Sequence, residues 1–548
     1  MNSRSYWLLA VVIISLLIWS YIAPEGIALP HLSSQVPTVA LPAVVDPPPH
    51  LTPAPASVSP GQVTVTTPEY TAVIAETGGL LTSFTLNNYY ISKLNPALPD
   101  RPMELVTPPL PEDRPLRLTL VASRAPDLEN AFFKADQKEL NLKANQTGTI
   151  TLVYNDPAGL TVTRRLTFTA GTYLVQQQVS LTNGSSAPFE GRLVLRINTA
   201  PFRQNGVAGR YDGLGALINN HLLTDKASNA PAALAKNQGR PIKWAGYMDQ
   251  YFLTALVVPG VDKNEISLPE FKAILQDHGG LAVAESRTLN LPPGQTSIFD
   301  FDFYYGPKAV TALRTAGHDL TRSIDLGWFS FLATPLAALL RWIYVGLGNY
   351  GLAIIIVTVL IKIVLWPLTT KSYRSMKNMQ NLQPKVAKIR EKYDNDKEAL
   401  NREIMHLYKT FKINPLGGCL PMILQIPFFI AFYRVLDSML ELRGAPFMLW
   451  IKDLAAPDRL GSFDIVIPFF DQPTGVPVLT LLMGLSMIVQ QKISPNTMGD
   501  PTQAKIMMMM PVVFTFILIN MPAGLVLYWL INNILSIAQQ TLINRPGP

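Results

Sequence analysis

A lysine in the middle of an apolar run is the feature of this sequence that most demands a chemical explanation. Lys362 follows Ile354, Ile355, Ile356, Val357, Thr358, Val359, Leu360 and Ile361, and it precedes Ile363, Val364, Leu365 and Trp366. The run from Tyr350 to Leu368 is long enough to cross a bilayer, where a cation costs about 2.5 to 3.5 kcal/mol on insertion scales. An ionisable group in that place points to function. Two placements are open: the side chain snorkels to the nearer interface, or it faces a hydrated cavity and attracts an anion. Lys371 marks the interface, so Lys362 lies about 10 Å inside it at 1.5 Å per residue. A lysine stem covers only part of that distance, which favours the cavity. Thr358 sits one turn before Lys362, and Gln425, Gln490, Gln491, Thr515, Asn532 and Asn533 lie within or at the ends of other apolar runs. Singly, each fits a hydrogen bond between helices; together they suggest a polar interior.

Enzymatic chemistry finds no support. His221, His278 and His318 are isolated, without metal-ligand spacing or a nucleophile beside them, and Cys419 is the single cysteine. Gly417 and Gly418 are not a phosphate loop, since no Lys-Ser/Thr pair follows. Neither a cofactor nor a metal is expected.

The elements that must position Lys362 are helices in a membrane. Of 548 residues 48% are hydrophobic and 15% charged, with the apolar excess gathered into long runs. Tyr6 to Ile22 is either a cleaved signal peptide or a retained N-terminal anchor, residues 1–23; the nearby small-x-small site, Gly26 to Ala28 beyond Pro24, is a weak one and favours the anchor. Residues 24–61 hold ten prolines and read as an extended tether. Residues 62–320 change to short β-rich runs bounded by turn residues, among them Gln62 to Thr66, Leu80 to Leu86, Leu116 to Val121, Thr149 to Tyr154, Leu160 to Thr169, Tyr173 to Thr182, Arg192 to Ile197, Phe252 to Val258 and Ile298 to Tyr305. Strands without intervening helices predict an antiparallel all-β sandwich.

Charge then sets the topology. Lys371 to Lys412 carries eleven Lys and Arg against five acids and belongs on the cytoplasmic side. One crossing must therefore separate it from the β domain, so Leu326 to Leu347 is predicted to be an amphipathic helix lying in the interface (domain 321–348). Trp328, Trp342 and Tyr344 would anchor it, and Pro335 would break it. Leu416 to Leu440, Val476 to Ile493, Ile506 to Asn520 and Pro522 to Ile543 complete a polytopic α-helical protein with six transmembrane helices, both termini cytoplasmic and residues 24–320 periplasmic. The +7 net charge reports this topology and not a nucleic-acid partner. Apolar residues stepping by three and four on either side of Asp394, Asn395 and Asp396 predict a cytoplasmic helical hairpin over 371–413, kinked by Pro384. Its exposed Lys385, Lys388 and Arg390 are either a solvated face or a contact surface for ribosomes, lipid headgroups or emerging chains.

The run Asn414, Pro415, Leu416, Gly417, Gly418, Cys419, Leu420, Pro421, with Gln425 and Pro427, resembles the third-span signature of the YidC family of membrane protein insertases. Trp366 to Thr369 and Pro522 to Trp529 resemble that family's second-span exit and last span, and the likeness covers essentially the whole chain. It implies the long form, with a large periplasmic domain and a five-helix insertase core (349–548) enclosing a hydrophilic groove open to the cytoplasm and to lipid but closed outside. It places the groove's cation, usually arginine, at Lys362; its polar threonine and glutamine at Thr358 and Gln425; and its substrate-contacting aromatic pair at Tyr528 and Trp529. Lysine keeps the charge but not the bidentate fork. The implied partners are nascent membrane proteins, the Sec translocon, the ribosome and membrane lipids. A secondary transporter of an anionic solute is the chief alternative, although no repeated halves are visible; a sugar-processing enzyme in the β domain would need paired carboxylates that the sequence does not locate.

Overall fold

The computed structural model describes residues 61–90, 101–106, 115–123, 125–199, 212–226, 242–257, 270–276, 279–286, 288–393, 396–411, 420–463, 474–493 and 501–544. The anchor, the tether up to residue 60, His278, Asp394, Asn395 and Cys419 lie outside the described residues. The chain divides into two compact units between Ser323 and Ile324.

Runs of β-branched and aromatic residues build the first unit. Burial alternates strictly along Gln62–Thr66 and Tyr70–Ala75, so each strand turns one face inward. Among the described residues a nine-stranded sheet runs His221–Lys226, Asp212–Ile218, Ile242–Asp249, Phe252–Val257, Thr296–Pro307, Leu174–Asn183, Leu160–Thr169, Thr147–Asn155 and Lys134–Ala135. A five-stranded sheet orders Pro102–Glu104, Leu81–Tyr90, Tyr70–Ala75, Gln62–Thr66 and Glu139–Asn141, and a third is centred on Phe189–Thr199. Aromatic rings join the first two: Phe84 lies 5.2 Å from Tyr305, and Tyr70 6.1 Å from Tyr173. Among the described residues the expected antiparallel pairing has one exception, since Gln62–Thr66 pairs with Glu139–Asn141 in parallel. The distant Glu139–Asn141 segment arrives there as an added edge.

Among the described residues of this unit, Arg164 is the most deeply buried charge. Arg164 falls on the inward register of Leu160–Thr169 and donates to the Gly78 carbonyl at 2.8 Å and the Leu116 carbonyl at 2.9 Å. The Gln177 amide, turned to present its oxygen, accepts from the same guanidinium at 3.1 and 3.2 Å. Burial pulls the guanidinium down to about 9. Its bonds satisfy loop carbonyls that would otherwise be orphaned. Arg164→Ala is therefore expected to destabilise the β unit by about 2 to 4 kcal/mol, from orphaned carbonyls plus a cavity. Thermal melting followed by circular dichroism checks this, and a loss below about 0.5 kcal/mol would show that the loops hold without the arginine.

A short helix, α1 (Val310–Ala316), closes the β unit. The second unit opens with α2 (Ser330–Leu347). Pro335 does not break it, contrary to the sequence expectation. Proline removes the single bond its own N–H would have made, and lying within the first two turns it leaves the later ladder intact. Trp328 and Trp342 are exposed, as anchors should be, but Tyr344 stacks on Tyr350 with ring centres 3.8 Å apart. Gly348, at a φ of 65°, ends α2 by donating to the Tyr344 carbonyl, and Asn349 caps α3 (Tyr350–Asn381) by accepting from the Leu352 N–H.

Helix α3 is continuous over 32 residues. At 1.5 Å per residue it exceeds the roughly 30 Å of a bilayer core, so its last turns reach beyond it. The helix breaks at Leu382, two residues before Pro384. The hairpin continues through α4 (Gln383–Lys392) and α5 (Lys397–Thr410), with Asp396 capping α5. Then follow α6 (Leu420–Ser438), α7 (Val478–Ile493), α8 (Pro501–Ile517) and α9 (Ala523–Asn544). Helix α9 packs against α3, α7 and α6, while α2 packs on α3 and α6. By length and composition, α2 and α3 are the described helices that qualify to cross a membrane.

Candidate functional site

Lys362 is buried in the seam between α3 and α9, where its Nζ donates to the Ser536 hydroxyl at 2.6 Å. That hydroxyl in turn donates to the Asn532 carbonyl at 2.7 Å and is hydrogen bonded to Tyr373. The site is built by a polar stripe on α9. Asn532, Asn533, Ser536, Gln539 and Gln540 recur at helical spacing, so they share one face, and all are buried. Asn533 donates to Ser486 of α7 at 2.9 Å. Gln539 donates to Thr369 and Thr370 of α3 at 2.9 and 3.0 Å, and Gln540 to the Ile493 carbonyl at 3.3 Å. A hydrogen-bonded seam thus runs from mid-helix toward the end where α3 continues into the hairpin. Snorkelling is not the observed placement, since the Lys362 ammonium points at a buried hydroxyl.

The other expected residues divide between two places. Thr358 is buried one turn before Lys362, but its hydroxyl donates to the Ile354 carbonyl of its own helix at 2.6 Å. Gln425 of α6 hydrogen bonds Tyr528 of α9. Tyr528 and Trp529 then join an aromatic cluster with Phe432 at 4.8 Å from Tyr528 and Phe429 at 4.8 Å from Trp529. Ser536 lies eight residues beyond Tyr528, about 12 Å along the helix, so the cation and the aromatic pair occupy successive levels of one face. On the hairpin, Lys385 and Lys388 are exposed, while Arg390 is half-buried. The Lys385 ammonium sits 4.2 Å from the centre of the Phe411 ring, so part of its charge is engaged within the hairpin.

Ser536, Gln539, Gln540 and Ser486 escaped the sequence reading, and Thr369 entered it only within the Trp366 to Thr369 motif. The signal for the α9 residues was present in the period of that helix, since polar residues at positions 532, 533, 536, 539 and 540 mark a face. Among the described residues no group of three His, Cys, Asp or Glu could hold a metal.

At the opposite end of α9, residues 440–460 cover the helix starts. Arg341 of α2 pairs with Glu441 at 3.1 Å, and Asn349 donates to the Phe447 carbonyl at 2.9 Å. The seam is therefore capped where α3, α7 and α9 begin.

Comparison with known proteins agrees with this architecture. The family model for the 60 kDa inner membrane protein matches residues 342–547, and that for the YidC periplasmic domain matches residues 62–339. A membrane protein insertase YidC from Pelobacter propionicus is 39% identical over 493 residues, covering 90% of this chain and 88% of its own. One from Nitratidesulfovibrio vulgaris is 37% identical over 571 residues, covering 99% of each. Among solved structures, an active YidC insertase with its first transmembrane domain resolved covers 88% of this chain and 92% of its own, at 17% identity and a TM-score of 0.37. The chain is thus an inner-membrane protein with a periplasmic domain. It belongs to the YidC family of membrane protein insertases.

Proposed function

We propose that this chain inserts client membrane proteins through a hydrophilic groove lined by α3, α6, α7 and α9, open toward the cytoplasm, in which Lys362 attracts acidic client segments. The observation that carries the reading is the buried ammonium held by a neutral hydroxyl within a polar seam. A client carboxylate entering the groove replaces that hydroxyl and gains a charge-assisted bond. Thr358 and Gln425 add polarity to the groove, and Tyr528 and Trp529 supply the surface along which an apolar client segment slides. Moving a short hydrophilic tail across about 30 Å of hydrocarbon is prohibitive unless part of the path is wet, and the groove shortens that path. Burial of the client's apolar segment in lipid, at about 25 cal/mol per Å2, then drives the step without nucleotide or cofactor.

The topology that goes with this mechanism has six transmembrane helices: the N-terminal anchor with α3, α6, α7, α8 and α9. Helix α2 lies in the interface, both termini are cytoplasmic and residues 24–320 are periplasmic. The domains are then 1–23, 24–61, 62–320, 321–348 and 349–548. Lys385, Lys388 and Arg390 offer charge to the ribosome, to lipid headgroups or to emerging chains, and insertion proceeds alone or beside the Sec translocon. Single cysteines at Ser330 and Asn395, with Cys419 replaced, should react with an impermeant maleimide from the periplasmic and cytoplasmic sides respectively. Reaction of both from one side would refute the six-span arrangement. Depletion of the protein should also stall inner-membrane proteins that carry short acidic tails.

A further inference from the structure

The six residues Leu454 to Arg459 fasten the ends of three helices at once. The Leu454 and Ala456 carbonyls accept from the Gly524 and Ala523 N–H groups, both at 2.8 Å, at the start of α9. The Asp458 carboxylate, 2% exposed, accepts from the Leu479 N–H in the first turn of α7 and from the Trp450 indole at 2.6 Å. Pro477, which precedes α7, offers no side-chain acceptor, so Asp458 caps that helix from 21 residues away. The Arg459 guanidinium donates to the Ile519 carbonyl at 2.8 Å and to the Asn520 side-chain oxygen at 2.9 Å, just past the end of α8. An anion thus meets the positive start of one helix while its neighbour, a cation, meets the negative end of the next.

We propose that Asp458 and Arg459 are positioning residues for insertion, which clamp α7, α8 and α9 together and keep the periplasmic end of the groove shut. The inference rests on the half-channel reading above, because a groove open on one side needs a fixed seal on the other. Backbone bonds alone would fasten α9; the two charges extend the clamp to α7 and α8. The seal is electrostatic at helix termini, so it weakens when either charge is lost, even where the helices themselves persist.

The test uses the full chain in proteoliposomes with Cys419→Ser and a reporter, Ser486→Cys, which lies about 12 Å into α7 from its sealed end. An impermeant maleimide is applied from either side. The parent should label from the cytoplasmic side only. Asp458→Ala and Arg459→Ala should raise periplasmic labelling about tenfold, the population change expected from losing one cap. Asp458→Asn, which keeps one acceptor, should rise less. Leu336→Ala in α2, brought to the same loss of melting temperature, should leave periplasmic labelling unchanged. Unchanged labelling in folded Asp458→Ala and Arg459→Ala overturns the proposal, as does an equal rise in Leu336→Ala. If the alanine variants fail to fold, Trp450→Phe removes a bond to Asp458 and Asn520→Ala one to Arg459, and each should raise labelling about twofold; no rise in either also overturns it. Absence of cytoplasmic labelling in the parent would instead defeat the half-channel reading, and the seal is then judged on the periplasmic rate alone.

Discussion

Lys362→Glu is expected to abolish most insertion of clients with acidic tails while sparing clients with neutral ones. Two unit charges about 6 Å apart at an effective dielectric near 20 interact by roughly 3 kcal/mol, and reversal replaces that attraction with repulsion. After relaxation and water penetration a loss of about tenfold to a hundredfold remains for acidic tails, against less than about threefold for neutral ones. Lys362→Arg keeps the charge and should stay near the parent, whereas Lys362→Ala should fall between. Insertion into proteoliposomes is measured for paired clients that differ only in tail charge, with melting curves confirming that each variant is folded. Equal loss for both client types would remove the electrostatic role and leave Lys362 as a hydration or packing element.

The second large effect lies in the β unit, where Gly246→Val should collapse the nine-stranded sheet. A Cβ built at Gly246 falls 1.9 Å from the Thr254 carbonyl oxygen and 2.6 Å from the Ala255 Cα, on the partner strand Phe252–Val257. Backbone cannot yield there without losing the ladder. The expected cost is at least about 3 kcal/mol, more than an ordinary overpacked core position. Because the chain divides into two compact units, insertion by the helical unit should survive within about twofold. Circular dichroism of the β unit and insertion by the full chain are read from one preparation. Loss of insertion in a chain whose helices remain folded would make the periplasmic unit part of the insertion machinery.

How much of this was readable before the structure depended on whether local pattern or tertiary placement decides the matter. Lys362 was legible because a charge inside an apolar run has few explanations. The strands Leu160–Thr169 and Gln62–Thr66 were legible because one face is buried and turn residues bound them. The fully buried Phe252–Val257 was legible as an unbroken apolar run, whereas Ile242–Asp249, equally buried from Trp244 on, was missed because Lys243, Gly246 and Asp249 interrupt its pattern. Ser536 was missed for a different reason: a serine in an apolar helix is ordinary, and only the arrival of Lys362 from α3 gives it a role. Asp458 and Arg459 read as loop charges, since nothing in sequence announces that Leu479 and Ile519 will come to them. Thr358 and Gln425 were legible as polar groups in apolar runs, and Tyr528 and Trp529 only through family resemblance; the structure brings Gln425 and Tyr528 together while leaving Thr358 bonded within its own helix.

The partner of Lys362 has a consequence for the timing of a reaction cycle. A resting ion pair worth about 3 kcal/mol would delay each exchange by roughly a hundredfold, because the pair must separate before a client can enter. Ser536, a neutral acceptor, imposes a smaller delay, and its hydroxyl remains bonded to the Asn532 carbonyl, ready to receive the ammonium again. In the proposed mechanism, entry and departure of a tail become a swap between two acceptors at one donor. A seam arranged in that way favours brief residence and rapid turnover over tight capture.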